Sequence, residues 1–300
     1  MDTIKLSLDV DSFLAKTFKQ STNKNVVGYC GMIPIKFETE KSMLSLRKWL
    51  ITEWKEEKSF WSKMRKEFDW MIKRIDEHPF LVEIEKGTLP KEKYRTYAIQ
   101  NLIYFHDAYR NHAIASATAD ASWIGQIFYK MVNESTAEYN AFVDIIKAFG
   151  ISQKDRDQVL VEPSLVLPSS RAYIDFQFKI SSIGTPGEIA ACYLPCALTY
   201  GIREIGGCDC PYRIAKGLRE HYGVQKEPTI IYGNYARSRW HHAYVKACID
   251  IINFTAQTCT EETKTRIKDT FRRALEYEYR FWDAPYKHDP TKEREIGSYF

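Results

Sequence analysis

The sequence predicts an all-α fold. Three observations carry that prediction: apolar residues recur at spacings of three and four along most of the 300 residues, helix-start and helix-stop signals bracket those runs, and the apolar–polar alternation of strands is nearly absent.

Taken in order, residues 1 to about 40 are the irregular exception, and "NVVGYCGMIPIKF" is the one stretch with extended character. Trp61, Met64, Phe68, Met71 and Ile75 then step by 3, 4, 3, 4, the apolar stripe of an amphipathic helix. That stripe accounts for the aromatic and basic mixture of "WSKMRKEFDWMIKR" without nucleic acid. Gly87 and Pro90 in "GTLPKEK" mark a turn before the helix "YRTYAIQNLIYFHDAYRNHAIASATA". A further helix, "STAEYNAFVDIIKAFG", closes with Gly150 just past its end. After the proline-bearing loop "VEPSLVLPSS", Tyr173, Phe176 and Ile180 again step by 3 and 4. "TPGE", Thr185 to Glu188, has the form of a capping box with Pro186 at the first helical position, so "ACYLPCALTYGIREIG" is the body of a helix. Residues 207–234, rich in glycine, proline and charge, read as a long connection with one helix, "RIAKGLREHYG". Two more helices follow, at about 235–258 and 261–282. No repeat or low-complexity segment is evident.

Composition narrows the function classes. A hydrophobic fraction of 44% with 27% charged residues is that of a globular protein able to bury a large core. A net charge of +4, from 43 basic and 39 acidic residues, gives no basic surplus pointing to nucleic acid. No run reaches the roughly 20 apolar residues that span a bilayer, and "MDTIKLSLDVD" is acidic where a signal or transit peptide is basic. The expectation is a cytoplasmic protein without nucleic-acid or membrane partners. The seven cysteines are an odd number in a chain large enough to fold without staples, so reduced thiols are expected. Cys208 and Cys210 have C-x-C spacing with no second ligand pair nearby, which reads as a surface loop rather than a zinc site.

Polar residues on apolar stripes are the informative ones, because burying them without partners costs several kcal/mol. Ile267, Phe271, Leu275, Glu278 and Trp282 step by 4, 4, 3, 4, so Glu278 shares a face with core residues and should have a raised pKa. Tyr94, Tyr97, Asn101, Tyr104 and Ala108 form a second such face, and Ile189, Cys192, Cys196 and Tyr200 a third. Each has an ordinary explanation alone: Cys196 as an inert core thiol, Tyr104, Tyr173 and Tyr200 as core tyrosines with bonded hydroxyls. Glu278 demands either a partner charge or a functional pocket. Together they point to a cavity at the centre of a helix bundle.

The segments "HPFLVEIEKGTLPKEKYRTYAIQNLIYF", "SRAYIDFQF", "EIAACYLPCALTYGIREIG" and "EYEYRFWDAPY" resemble the TenA family, the thiaminase II or aminopyrimidine aminohydrolase proteins, over about residues 55–287. The resemblance implies a heme oxygenase-like helical bundle. It divides the chain into an N-terminal extension, partly helical, at 1–54, a TenA-like helical domain at 55–287 and a tail at 288–300. It further implies that Cys196 of L-P-C is the nucleophile and Glu278 the acid/base residue. Tyr104, Tyr173, Tyr200 and Phe281 match positions lining the pyrimidine pocket, and the 23-residue interval from Tyr173 to Cys196 agrees with the family spacing. The implied reaction is hydrolysis of a C–N bond at the exocyclic methylene of an aminopyrimidine, through a cysteine–ring adduct, in thiamin salvage. No metal or cofactor is required, and a homo-oligomer, a tetramer in relatives, is implied.

Two departures bear on the substrate. Asn101 stands where the family usually has aspartate, so it can hydrogen-bond an amino group and a ring nitrogen but supplies no negative charge. Arg239 aligns with a position often held by a ring-stacking tyrosine, where it can stack or bind an acidic group. Three other functions compete. A di-iron oxygenase needs about six inward carboxylate and histidine ligands, and His106, His112, His241 and His242 make no such pattern with glutamates; adjacent His241 and His242 cannot face one site from a helix. A heme-binding reading has only the fold name behind it. A non-catalytic small-molecule binder is the third, favoured by Asn101 and opposed by the joint presence of Cys196 and Glu278.

Overall fold

The computed structural model describes residues 40–161 and 165–288. The stretch "NVVGYCGMIPIKF" and the tail beyond His288 lie outside the described residues. Those residues form helices and no strand: α1 (Glu40–Glu56), α2 (Phe60–Glu67), α3 (Asp69–Asp76), α4 (Pro79–Lys86), α5 (Lys91–Thr118), α6 (Ser122–Lys147) and α7 (Gln153–Val161). There follow α8 (Pro168–Ile183), α9 (Pro186–Tyr200), a short 3-10 turn (Arg203–Ile205), α10 (Cys210–His221), α11 (Lys226–Tyr235), α12 (Arg239–Thr258) and α13 (Glu261–Lys287).

Local chemistry sets most boundaries where the sequence places them. Gly87 takes the left-handed conformation, φ 73°, that ends α4, and Gly150 does so after α6 with φ 70°. The Thr185 hydroxyl accepts from the Glu188 backbone N–H while the Glu188 carboxylate accepts from the Thr185 N–H at 2.9 Å, completing the predicted capping box of α9. Ser238 caps α12 by accepting from the His241 N–H, so that helix begins at Arg239 rather than 235.

Five further expectations are corrected. The stripe from Trp61 to Ile75 is buried throughout, but its helix breaks at Phe68 (φ −106°, ψ 14°) into α2 and α3. Residues 207–234 hold two helices, not one. Pro211 lies in the first turn of α10, and Pro228 in that of α11, where the missing N–H costs no intrahelical bond. Cys208 and Cys210 are fully buried instead of lying on a surface loop, with the Cys208 thiol donating to the Ile72 carbonyl at 3.7 Å. Finally, α6 begins at Ser122, well before "STAEYNAF", and α13 continues past residue 282 to Lys287.

Packing places α9 at the centre, flanked by α12 and α13, with α5 lying on α6 and α8 joining α5 to α13. An aromatic stack ties these elements together: Tyr97 lies parallel to Trp282 with ring centroids 4.8 Å apart, and Phe80 meets both rings. The Leu50 side chain of α1 is buried in the same core, and α1 packs on α12. Among the described residues no helix is long and apolar enough to cross a membrane, and no group of three or more His, Cys, Asp or Glu side chains is placed to hold a metal ion.

Candidate active site

The central helices enclose a cavity whose space open to the centre of a water molecule is about 70 Å³. One water needs roughly 10–15 Å³ on that measure, so the cavity has room for a small ring. Helix α5 contributes Asn101 and Tyr104, α8 contributes Tyr173, α9 contributes Cys196 and Tyr200, and α13 contributes Glu278 and Phe281. Seven of the eight residues singled out in the sequence therefore share one cavity. Arg239 is not among those lining it; Tyr235, in the last turn of α11, is. Arg239 opens α12 directly after the Ser238 cap, three residues beyond the turn that begins at 236.

Glu278 is 2% exposed and, among the described residues, is the one carboxylate lining the cavity. Burial pushes its pKa up to about 7, while hydrogen bonds from Tyr173 and Cys196 pull the other way. The Tyr173 hydroxyl donates to Glu278 Oε1 at 2.6 Å. The Cys196 thiol is thus the second donor to the same carboxylate. Tyr104, beside both groups, accepts from the Gln177 side-chain amide at 3.0 Å and touches the Cys196 sulfur. Its own proton is left to point at the sulfur. Pro195, immediately before Cys196, has no N–H, so the Ala191 carbonyl lacks its usual intrahelical donor one turn back.

Asn101 donates its amide N–H to the Tyr97 carbonyl at 3.0 Å. The Tyr97 hydroxyl is hydrogen-bonded to that of Tyr200 at 2.8 Å, and Tyr200 stacks on Trp282. Burial raises the pKa values of Tyr104, Tyr173 and Tyr200 well above that of free tyrosine, so all three are neutral hydrogen-bonding groups.

Sequence reasoning missed His112, Tyr193, Tyr235, His241 and Tyr244, which also line the cavity. Two signals could have found most of them. His112 continues the stripe Asn101, Tyr104, Ala108 by one further step of four, and His241 and Tyr244 are three apart on one helix face. His242, next to His241, instead bonds the Ser238 carbonyl through Nδ1 at 2.9 Å, so the two do not share a site.

The helical bundle around this cavity has the heme oxygenase-like class of fold. A solved domain of unknown function from Shewanella denitrificans with that fold superposes with a TM-score of 0.56 at 16% identity, covering 79% of this chain and 92% of the other. A TenA homologue from Pyrococcus furiosus does so with a TM-score of 0.59 at 21% identity, covering 75% and 99%. The chain belongs to the TENA/THI-4/PQQC family, whose profile matches residues 61–288. It is 25% identical over 221 residues to the aminopyrimidine aminohydrolase of Bacillus subtilis, covering 71% of this chain and 83% of that one. The protein of the same name from Helicobacter pylori is 23% identical over 214 residues, covering 70% and 90%.

Proposed function

We propose that the chain is a hydrolase cleaving the C–N bond at the exocyclic methylene of an aminopyrimidine, either thiamin or its aminomethylpyrimidine breakdown product, in thiamin salvage. The observation that carries this reading is the convergence of the Cys196 thiol and the Tyr173 hydroxyl on the buried Glu278 carboxylate. The names of the relatives support it.

The steps use each group once in each direction. Glu278 takes the thiol proton from Cys196 and passes it to a ring nitrogen as the sulfur adds to a ring carbon. Addition breaks aromaticity, and the electron pair released from the ring expels the nitrogen from the methylene: the amine of the aminomethylpyrimidine takes up a proton as it departs, and the thiazolium of thiamin departs as neutral thiazole with none. Water adds its oxygen to the methylene and gives up a proton in place of the one removed. Sulfur then leaves, the ring nitrogen returns its proton through Glu278, and the net change is C–N plus water to C–OH plus amine, or for thiamin to C–OH plus neutral thiazole and a released proton. A carboxyl group titrating near 7 suits both directions of transfer at neutral pH. Asn101 has its amide oxygen to accept from the ring amino group, and Tyr104, Tyr200 and Phe281 wall the flat heterocycle. We place the protein in the cytoplasm as a homotetramer.

The test is to incubate the purified protein with thiamin and with the aminomethylpyrimidine, alongside Cys196→Ser and Glu278→Gln. Hydroxymethylpyrimidine should form with the unmodified protein and fall by at least about 100-fold in either variant. Turnover surviving in Cys196→Ser refutes the covalent route. Binding without turnover by the unmodified protein favours a non-catalytic binder, the reading that Asn101 leaves open.

A further inference from the structure

The groups used above come from α5, α8, α9 and α13, which leaves the α12 wall of the same cavity without a role. Two contacts order the space. Tyr97 of α5 meets Tyr200 of α9 at one end, and His112 of α5 stacks on Tyr193 of α9 at the other, with centroids 4.1 Å apart. The two helices therefore run antiparallel, and Cys196 falls between the ends rather than at one of them. From Asn101 to His112 the α5 face extends about 16 Å at 1.5 Å per residue, longer than one pyrimidine.

The far side of this space is polar and incompletely satisfied. His241 is 3% exposed, and neither ring nitrogen has a hydrogen-bond partner among the described residues. The Ala197 carbonyl is close enough to favour the protonated ring slightly, yet not at hydrogen-bonding geometry. The ring stands beside the C-terminal end of α9, where a Cβ built on the C-cap Gly201 would lie 3.4 Å from its Cε1. One turn on, the Tyr244 hydroxyl lies 3.4 Å from His112 Nε2, a long contact. His112 Nδ1 is 2.7 Å from the Ala108 carbonyl, which only accepts, so the proton sits on Nδ1 and Nε2 offers a lone pair. Burial holds the pKa of His241 down at about 3 and that of His112 at about 4, so both are neutral. A wall that expels a proton from imidazole also penalises any other cation lodged there without a counter-charge, and Glu278, the one carboxylate lining the cavity among the described residues, stands on the α13 side.

Resting on the reading of the site as an aminopyrimidine hydrolase, we propose that His241 and Tyr244, with His112, form the leaving-group subsite. It is built for an uncharged nitrogen-linked substituent with its own hydrogen-bond donor and acceptor, of the urea or lactam kind, in preference to a quaternary thiazolium or a bare ammonium. The bond broken is the same C–N bond. The leaving nitrogen takes up its proton as it departs and is released as a neutral urea or lactam, while water supplies the oxygen left on the methylene. A neutral imidazole presents one donor and one acceptor, and such a group satisfies both at once.

The experiment measures affinity by calorimetry in a Cys196→Ala background, where nothing turns over. The ligands are hydroxymethylpyrimidine, its ureidomethyl analogue and thiamin. The ureidomethyl compound should bind at least about tenfold tighter than the alcohol, and adding His241→Phe should remove about tenfold of its affinity while moving the alcohol by less than about twofold. His241→Gln, which keeps a donor and an acceptor, should restore most of the loss. The subsite is overturned, with the hydrolase reading intact, if the alcohol binds and the ureidomethyl compound gains nothing over it, if thiamin binds tightest, or if His241→Phe weakens all ligands equally. If no pyrimidine binds at all, the reading of the site itself fails and the subsite falls with it. Should the phenylalanine variant not fold, the ranking of the three ligands still decides.

Discussion

The Tyr173 hydroxyl donates to Glu278 Oε1 at 2.6 Å between two side chains that are 1% and 2% exposed. That bond favours the ionised carboxylate and opposes the burial that pushes its pKa up to about 7. Removing it in Tyr173→Phe should raise the Glu278 pKa by about one to two units, since a hydrogen bond to a charged group is worth about 1.5–3 kcal/mol. The limb of the kcat/KM profile that reports this carboxyl should then move toward alkaline pH. A rate loss with no displacement of the limb would mean that Tyr173 shapes the pocket without tuning the acid.

Gln177 acts on the thiol at one remove. It is fully buried, and its amide donates to the Tyr104 hydroxyl at 3.0 Å, which leaves the Tyr104 proton to be offered to Cys196. With Gln177→Leu that hydroxyl is free to turn away. We expect kcat to fall about tenfold with KM little changed, the cost of about one hydrogen bond. In a Tyr104→Phe background the same change should have almost no further effect on kcat. Additive losses would show that Gln177 works through packing instead.

The parts of this architecture written as periodicity were legible in the sequence. Glu278 was found because only a carboxylate interrupts Ile267, Phe271, Leu275 and Trp282 on one face, and all five are buried as that pattern requires. Helix ends were legible where a capping side chain or a left-handed glycine marks them, at Thr185 and Gly87. Phe68 was not, because it breaks its helix with neither proline nor glycine. The burial of Cys208 was hidden because its thiol meets α3, more than 130 residues earlier in the chain. His241 was invisible for a related reason. Its neighbour His242 carries the same chemistry and is buried too, and only His241 of the two lines the cavity.

Glu278 also makes stability depend on pH. Its folded pKa of about 7 lies above the ordinary carboxylate value of 4.5, so the folded state binds the proton more tightly than the unfolded chain. The favourable contribution is complete below about 4.5 and is lost as pH rises through about 7. The difference amounts to roughly 3 kcal/mol at alkaline pH. Glu278→Gln, which cannot ionise, should therefore unfold at a higher temperature than the unmodified protein at pH 8.5 and lose most of that advantage at pH 4.5. A constant difference between the two proteins across that range would show that the carboxyl is not held protonated.

Asn101 poses the sharpest conflict between fold and chemistry. Its amide nitrogen donates to the Tyr97 carbonyl at 3.0 Å inside a helix, and the residue is 3% exposed. A carboxylate there loses that bond and turns an oxygen toward the carbonyl, which should cost about 1–3 kcal/mol, or about 2–4 °C per kcal/mol in a domain of this size. The same carboxylate would supply the negative charge that a protonated ring lacks beside Asn101. Asn101→Asp should therefore lower Tm and at the same time raise kcat/KM for the aminopyrimidine, with the gain largest above the pH at which the new acid ionises. Both are read on one preparation, by thermal melt and by initial rate. If Tm falls and the rate does not rise, Asn101 does not face the ring, and its exchange for aspartate tells nothing about substrate charge.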